Sequence, residues 1–288
     1  MKKLLKSCFV ICTLLIILFN FTGCYDAHGI EELAYAVAVG LDVTDSNELE
    51  LTLQFAKTGS SSSEESVGSS QSEGSIISSV VCSSIDSGIA LINSHISKKI
   101  NLSHCQEIIF SEKIATIGIS EYLDTFANNV EIRTDCAIVI SKANAKDYLK
   151  NVKPSLETLT ARYYESTLTT SEYTGYTANI KLAEFYSAVK DDYSEAYAIL
   201  GGINSKHYTN TAKINADYTA GENPVSDSDV IETLGIAVFS GDKLVGELTG
   251  LDSICHLIIN NDLDQCTLCL LYTSDAADDI TRVDLGGR

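Results

Sequence analysis

Residues 31–57 read Glu-Glu-Leu-Ala-Tyr-Ala-Val-Ala-Val-Gly-Leu-Asp-Val-Thr-Asp-Ser-Asn-Glu-Leu-Glu-Leu-Thr-Leu-Gln-Phe-Ala-Lys, and this stretch decides the fold class. Leu49, Leu51, Leu53 and Phe55 alternate with Glu50, Thr52 and Gln54. A period of two puts the first set on one face of a strand and the second on the other, so a half-buried strand is expected over Glu48–Lys57. Leu33, Ala34, Val37, Val39 and Leu41 suit a strand over Glu31–Asp42. Asp45-Ser46-Asn47 between the two is turn chemistry, so the pair reads as an antiparallel hairpin.

Outward from this hairpin the pattern changes repeatedly. Gly59–Ser79 is dominated by Ser, Gly and Glu, cannot bury a core, and is expected to be a mobile loop. Val81, Ile85, Ile89, Ile92 and Ile96 recur at helical spacing and predict an amphipathic helix to about Lys98. Gln106–Phe110 and Cys136–Ile140 read as apolar strands. Ser120 and Asn144 are expected to cap helices running through Phe126 and Leu149, the second ended by Pro154. Ser155–Asp192 is mostly helical, with a polar break at Thr169–Thr177. Ala196–Ile203 reads as a strand followed by a polar, strand-like stretch to Thr219, and Gly221–Asp229 as a linker. Thr233–Phe239 and Lys243–Leu248 flank Ser240-Gly241-Asp242, a hairpin turn. Asp252–Ile259 places Ile254, Leu257 and Ile258 on one helical face, expected to pack on a domain that this sequence lacks. The element order is α+β, mixed sheets with flanking helices, and not a regular alternation of strand and helix.

The start of the chain is an export pattern. Lys2, Lys3 and Lys6 precede an apolar run over Phe9–Phe19, and Phe21-Thr22-Gly23-Cys24 follows. The closing cysteine resembles a bacterial lipobox. Residues 1–23 are then a signal peptide, and Cys24 is the lipid attachment site. The apolar run, 11 residues over Phe9–Phe19, is too short to span a bilayer comfortably. The expected product is a body tethered outside a membrane by lipid.

The chain has 288 residues, a formal charge of −19 and 45% hydrophobic residues. That is enough apolar material for real cores, and the acidity excludes charge-driven binding of nucleic acid or anionic headgroups. Of the nine cysteines, Cys82, Cys105, Cys136, Cys255 and Cys266 belong to the body. Their spacing is irregular, and the disulfide state is open. No GxSxG, Walker, HExxH or GxGxxG motif occurs, so no catalytic, cofactor-binding or metal-binding residue is assigned. His104-Cys105 resembles a metal pair in composition, but neighbours on a strand face opposite ways. Tyr163, Tyr164, Tyr173 and Tyr176 suit half-buried packing or a ligand grip.

Cys269–Arg288, back-translated, resembles the adaptors of sequencing libraries read in frame. The natural protein is therefore expected to be cut near Leu268. Residues 24–203 are expected to form an N-terminal α+β domain with 59–79 as its Ser-rich loop, 204–268 the start of a C-terminal region, and 269–288 the adaptor translation. The whole reads as a multi-domain lipoprotein ectodomain with the last domain missing.

Several segments together resemble the C-subunit lipoproteins of bacterial spore germinant receptors, the Ger(x)C family. The first is Gly23-Cys24-Tyr25-Asp26, with Ile30-Glu31-Glu32-Leu33-Ala34 and Val39-Gly40-Leu41-Asp42. The second is His104 with Ser111-Glu112-Lys113-Ile114-Ala115, Gly118-Ile119-Ser120-Glu121-Tyr122-Leu123-Asp124 and Glu131-Ile132-Arg133. The third is Leu234-Gly235-Ile236-Ala237-Val238-Phe239 with Gly241-Asp242-Lys243-Leu244-Val245-Gly246. Tyr25 stands where the family usually has Trp, and Asn128-Asn129-Val130 where it commonly shows Arg-Asp-Pro. The likeness runs from about Gly23 to Ile259. It implies a non-enzymatic subunit without cofactors, lipid-anchored on the extracytoplasmic face of the spore inner membrane. Its partners would be the integral-membrane A and B subunits, through which nutrients trigger germination. The alternative is a lipid-anchored solute-binding protein of a transporter, which needs two similar α/β lobes around a cleft. The chain offers no alternating pattern long enough for two.

The lipobox generates a direct prediction. Cys24→Ala leaves the precursor without lipid, so labelled palmitate enters the parent protein and not the variant. Equal labelling of both contradicts the assignment.

Overall fold

The alternation in residues 49–55 does build a strand, but the structure buries both of its faces. The computed structural model describes residues 1–19, 29–56, 75–152, 157, 159–204, 217–224, 230–269 and 280–284. They form two units, 1–33 and 34–288. The first holds helix α1 (Lys2–Phe19) and a 3-10 turn at Ile30–Glu32. No helix among the described residues is long and apolar enough to cross a membrane.

The second unit runs β1 (Leu33–Val43), β2 (Leu49–Ala56), β3 (Ser75–Cys82), α2 (Ile85–Asn93), β4 (Lys99–Asn101), β5 (Glu107–Ser111), α3 (Glu112–Ile117), α4 (Ser120–Asn128) and β6 (Ala137–Ser141). It continues with α5 (Ala145–Lys150), α6 (Thr160–Thr174), α7 (Leu182–Lys190), β7 (Tyr197–Asn204), β8 (Val230–Ser240), β9 (Lys243–Leu248) and α8 (Gly250–Asn260). A separate two-stranded sheet pairs β10 (Gln265–Cys269) with β11 (Ile280–Asp284). The main sheet has the order β3-β2-β1-β5-β6-β7-β8-β9, with β4 beside β1. Its centre, β1-β5-β6-β7, is parallel, and antiparallel hairpins close both sides. The fold is α+β, a mixed sheet with flanking helices.

A parallel centre needs cover on both faces. On one face Phe110 meets Phe126 of α4 edge-on at 6.2 Å, and Leu51 backs onto α2 at Gly88. On the other face α5 lies so close to β1 that a Cβ on Gly40 would stand 3.0 Å from Ala145 Cβ and Leu149 Cδ1. This second helical layer covers the polar side of β2. Thr52 and Gln54 are therefore fully buried, not solvated as their alternation suggests. Each polar group there has a partner. Lys146 Nζ reaches Glu50 at 2.7 Å, Thr52 shares a hydrogen bond with Ser79 at 3.0 Å, and Gln54 Nε2 donates to Ser75 Oγ at 3.1 Å. Burial of such groups is tolerable only when they are bonded.

Several boundaries differ from the sequence reading. Ser75–Ser79 belongs to β3, paired antiparallel with Thr52–Ala56 of β2; residues 59–74 of the expected loop lie outside the described residues. Val81 is in β3 and Ile96 beyond α2, so the helix is shorter than its apolar spacing. Pro154, the tract after Asn204 and most of the expected 221–229 linker also fall at or within undescribed stretches. Ile254 and Leu257 of α8 do not await another domain. They pack with Ala178, Ile236, Leu263 and Cys266 in a second small core. Ile258 remains half exposed. Gly235, at φ +95°, sits where β8 shifts register against β7. A Cβ there would stand 2.3 Å from the Leu248 carbonyl oxygen, so only glycine fits.

The helix starts hold the main correction. Ser120 is the first residue of α4 and not its cap; the Ser120 N–H donates to Asp242 Oδ2 at 3.3 Å, and the Ile119 N–H to the Asp242 carbonyl at 3.1 Å. Asn144 makes no side-chain cap either. The Ala145 N–H at the start of α5 donates to Asp42 Oδ2 at 2.6 Å. Both acceptors thus come from positions distant in sequence, Asp42 on β1 and Asp242 in the turn between β8 and β9. Asp242→Ala is expected to cost about 1 kcal/mol of stability, the usual loss for a removed cap. Ser120→Ala should change little. Urea midpoints of the two variants check this, and equal losses contradict it.

Candidate functional site

The motif residues singled out in the sequence fall mainly on structural contacts. Gly118–Asp124 docks on the Gly241-Asp242 hairpin, and Lys190 of α7 ties it down through Ser120 Oγ at 2.8 Å and Asp124 at 2.8 Å. Val39–Asp42 lies against α5. Glu131 and Arg133 lie in a turn and not on one strand. The Glu131 carboxylate accepts the Leu102 N–H at 3.0 Å, while Arg133 pairs with the exposed Asp135. His104 packs edge-on against Tyr35 at 4.7 Å, and Cys105 is buried. Tyr164 is buried and Tyr173 largely exposed. Cys24 lies outside the described residues. Among the described residues no group of three or more His, Cys, Asp and Glu side chains is placed to hold a metal.

Three surface depressions among the described residues bear on chemistry. At the carboxyl ends of β5 and β6, where open α/β sheets commonly bind ligands, a cavity of about 230 Å³ is lined by Ser111, Lys113, Lys142 and Asn144. Both lysines are already engaged. Lys142 holds Thr219 at 2.9 Å and Glu247 at 3.0 Å; Lys113 holds the Thr44 carbonyl at 3.1 Å and Asp45 at 3.2 Å. A shallow depression of about 640 Å³ lies over Asp86, Glu121 and Asp124. The largest of the three, about 810 Å³, lies between α7, β7 and α8. There Tyr197 donates to Asp262 at 3.1 Å and stacks edge-on with His256 at 4.7 Å. Burial, then the neighbouring Asp262, pushes the Tyr197 hydroxyl up to about 12, and burial holds the His256 ring below its ordinary value. With Glu184, Glu195 and Asp262 and no lysine or arginine in its lining, this cleft suits polar or cationic groups. The one serine in it, Ser194, donates to Asp191 at 2.7 Å and has no imidazole beside it in that bond.

One strongly perturbed carboxyl is internal. Glu107 points from β5 toward α5 and α6, between Ala38 of β1 and Ala137 of β6, whose small side chains leave it room. Gln54 Nε2 donates to the Leu149 carbonyl at 3.3 Å, and Tyr164 donates its hydroxyl to Gln54 Oε1. Burial pushes the Glu107 carboxyl from its ordinary 4.5 up to about 8, and Oε2 has no hydrogen-bond partner among the described residues. Burial, then Glu107, also raises the Tyr148 and Tyr164 hydroxyls well above the ordinary tyrosine range. Glu107 is therefore a neutral acid at pH 7. The signal in the sequence was one charged residue opening an otherwise apolar strand, since parallel strands buried on both faces read as continuous apolar runs.

This acid makes folding pH-dependent. Its folded pKa lies above its unfolded one, so the stability is full below about pH 4.5. It falls as the unfolded chain ionises between 4.5 and 8, and stays low above that. The loss is at most about 4–5 kcal/mol for a shift of this size. Glu107→Gln removes the dependence, so the variant should gain most on the parent at pH 8 and least at pH 5. Urea midpoints of both proteins at the two pH values measure the difference; an unchanged gap sinks the assignment.

Comparison with known proteins places this geometry in a family. Residues 26–201 match the spore germination protein N-terminal domain. Spore germination protein KC of Bacillus subtilis (strain 168) is 22% identical over 154 residues, 52% of this chain and 38% of that protein. Spore germination protein YndF of the same organism is 24% identical over 172 residues, 52% and 42%. Spore germination protein A3, also of that organism, is 43% identical over 67 residues, 21% and 17%. The crystal structure of the GerBC protein aligns over 86% of this chain and 62% of that one, at 15% identity and a TM-score of 0.37. The matches span well under half the length of these curated relatives. By the domain matched across residues 26–201, this chain belongs to the Ger(x)C family of spore germination proteins.

Proposed function

We propose that this chain is the N-terminal part of a non-catalytic subunit of a nutrient germinant receptor. Lipid on the Cys24 thiol holds it at the extracytoplasmic face of the spore inner membrane, after residues 1–23 are removed. In this reading it supports the integral-membrane A and B subunits as they trigger germination. Residues 24–203 act as its germination-protein domain and 204–268 as the start of the region that follows.

The observation that carries a scaffold role is how the fold uses its strand-end carboxylates. Asp42 and Asp242 occupy positions where an acid or base could serve a reaction, and both are bonded to helix N–H groups instead. A carboxylate fixed in this way positions an element and has little freedom to move a proton. The transporter reading needs two lobes facing one cleft. The described residues build one continuous mixed sheet from β3 to β9, which supports the receptor reading over it.

Deletion of the gene should slow the fall in optical density of spores given nutrients and leave the response to non-nutrient triggers largely intact. Complementation with the intact gene should restore the rate. Normal nutrient germination in the deletion strain, or saturable hydrolase activity in the purified ectodomain, overturns the proposal.

A further inference from the structure

Two cysteines distant in sequence meet at the starts of neighbouring central strands. Cys105 closes the turn ahead of β5, where its N–H donates to the Leu102 carbonyl at 3.0 Å. Cys136 directly precedes β6, and its N–H donates to the Arg133 carbonyl at 3.3 Å. The segments are locked together, since the Gln106 carbonyl accepts the Ala137 N–H at 2.8 Å. Both cysteines are buried. The Cys136 thiol donates to the Cys105 carbonyl at 2.9 Å and the Cys105 thiol to the Glu107 carbonyl at 3.4 Å, which sets the Cys136 sulfur against the main chain of Cys105.

We propose that Cys105 and Cys136 are a disulfide site, joined when the chain folds in the presence of a disulfide oxidant. The balance is a double exchange. One cysteine thiolate attacks a small disulfide such as oxidised glutathione, forming a mixed disulfide and releasing one glutathione thiolate. The second cysteine thiolate then attacks the protein sulfur and releases the other glutathione. Two cysteine S–H bonds are lost, one protein S–S bond forms, and the oxidant's S–S bond is cleaved. The two protons end on the two glutathione thiols, so the cysteines are oxidised and glutathione reduced.

The position explains when this happens. The neighbouring Cys136 thiol and burial raise the Cys105 thiol well above its ordinary range, so Cys105 ionises poorly in the fold, and both buried cysteines meet little oxidant. Exchange therefore belongs to folding, before β5 and β6 close over the sulfurs. The bond would tie the starts of two central parallel strands and close a loop carrying α3 and α4. Cys82 and Cys255 are more accessible, and Cys266 sits in the other core. They are the competitors the test must separate.

The full chain is unfolded in urea with reductant, then refolded in a mixture of reduced and oxidised glutathione. Iodoacetamide is added in urea, before and after a second reduction, and peptides are mapped by mass. The peptides holding Cys105 and Cys136 should be recovered crosslinked, about 2 Da lighter than their separate reduced forms, and take label only after reduction. The thermal midpoint should fall by about 5–10 °C on adding reductant, as expected for opening a loop of this length. Cys105→Ala and Cys136→Ala should each abolish the crosslink and that sensitivity. Labelling of both cysteines before reduction, or recovery of either one bonded to Cys82, Cys255 or Cys266, overturns the proposal from the parent protein alone.

Discussion

A helix that begins inside a fold must find acceptors for its first N–H groups, because water is not there to take them. In this protein two such starts are met by carboxylates of the sheet and its turns. Asp42 at the end of β1 receives the first N–H of α5, and Asp242 in the β8–β9 turn receives the first of α4. The sheet and its helical layers depend on these bonds. Asp42 fixes α5 over Gly40, and α5 in turn covers the polar side of β2. Asp242 draws the β9 edge of the sheet toward α4, and Lys190 ties α4 to α7. Burial pushes the Asp42 carboxyl up, while the Ser111 and Ala145 bonds pull it down. An acceptor held in this way is costly to desolvate, and worth keeping only because the N–H it meets would otherwise be orphaned.

The covering of β2 has a second consequence. Once α5 and α6 lie over the sheet, every polar group beneath them must be bonded or neutral. Gln54 meets this through Ser75, Leu149 and Tyr164, and Thr52 through Ser79. Glu107 meets it by keeping its proton. A carboxylic acid at that depth is a weak point in a core and also a specific one. After burial, its charge is the next cause that raises the Tyr148 and Tyr164 hydroxyls.

Membership in the family and the use of its motif residues agree in one respect. Gly40, Asp42, Ser120, Gly235 and Asp242 are placed by close approach, capping or a register shift. Such residues hold elements of the architecture together. The acidic cleft between α7, β7 and α8 is lined by none of them.

The sequence by itself determined the local elements. Alternation in residues 49–55, turn chemistry at Asp45–Asn47 and Ser240–Asp242, and the apolar runs ending at Phe110 and Ile140 each predict what the structure contains, because period and turn preference act within a few residues. The segments resembling the family were also legible, and with them the family itself. The parallel order of β1, β5, β6 and β7 was not, since strand neighbours are chosen by packing between segments far apart. Nor was β3, whose serines read as loop until their partners across β2 are known. Ser120 and Asn144 were the reasonable caps within their own segments, and both were displaced by aspartates about a hundred residues away. Periodicity and propensity carry no information at that range. Only the closed structure brings an acceptor, a buried acid or a pair of thiols to its partner, and it does so because burial leaves each of them no water to turn to.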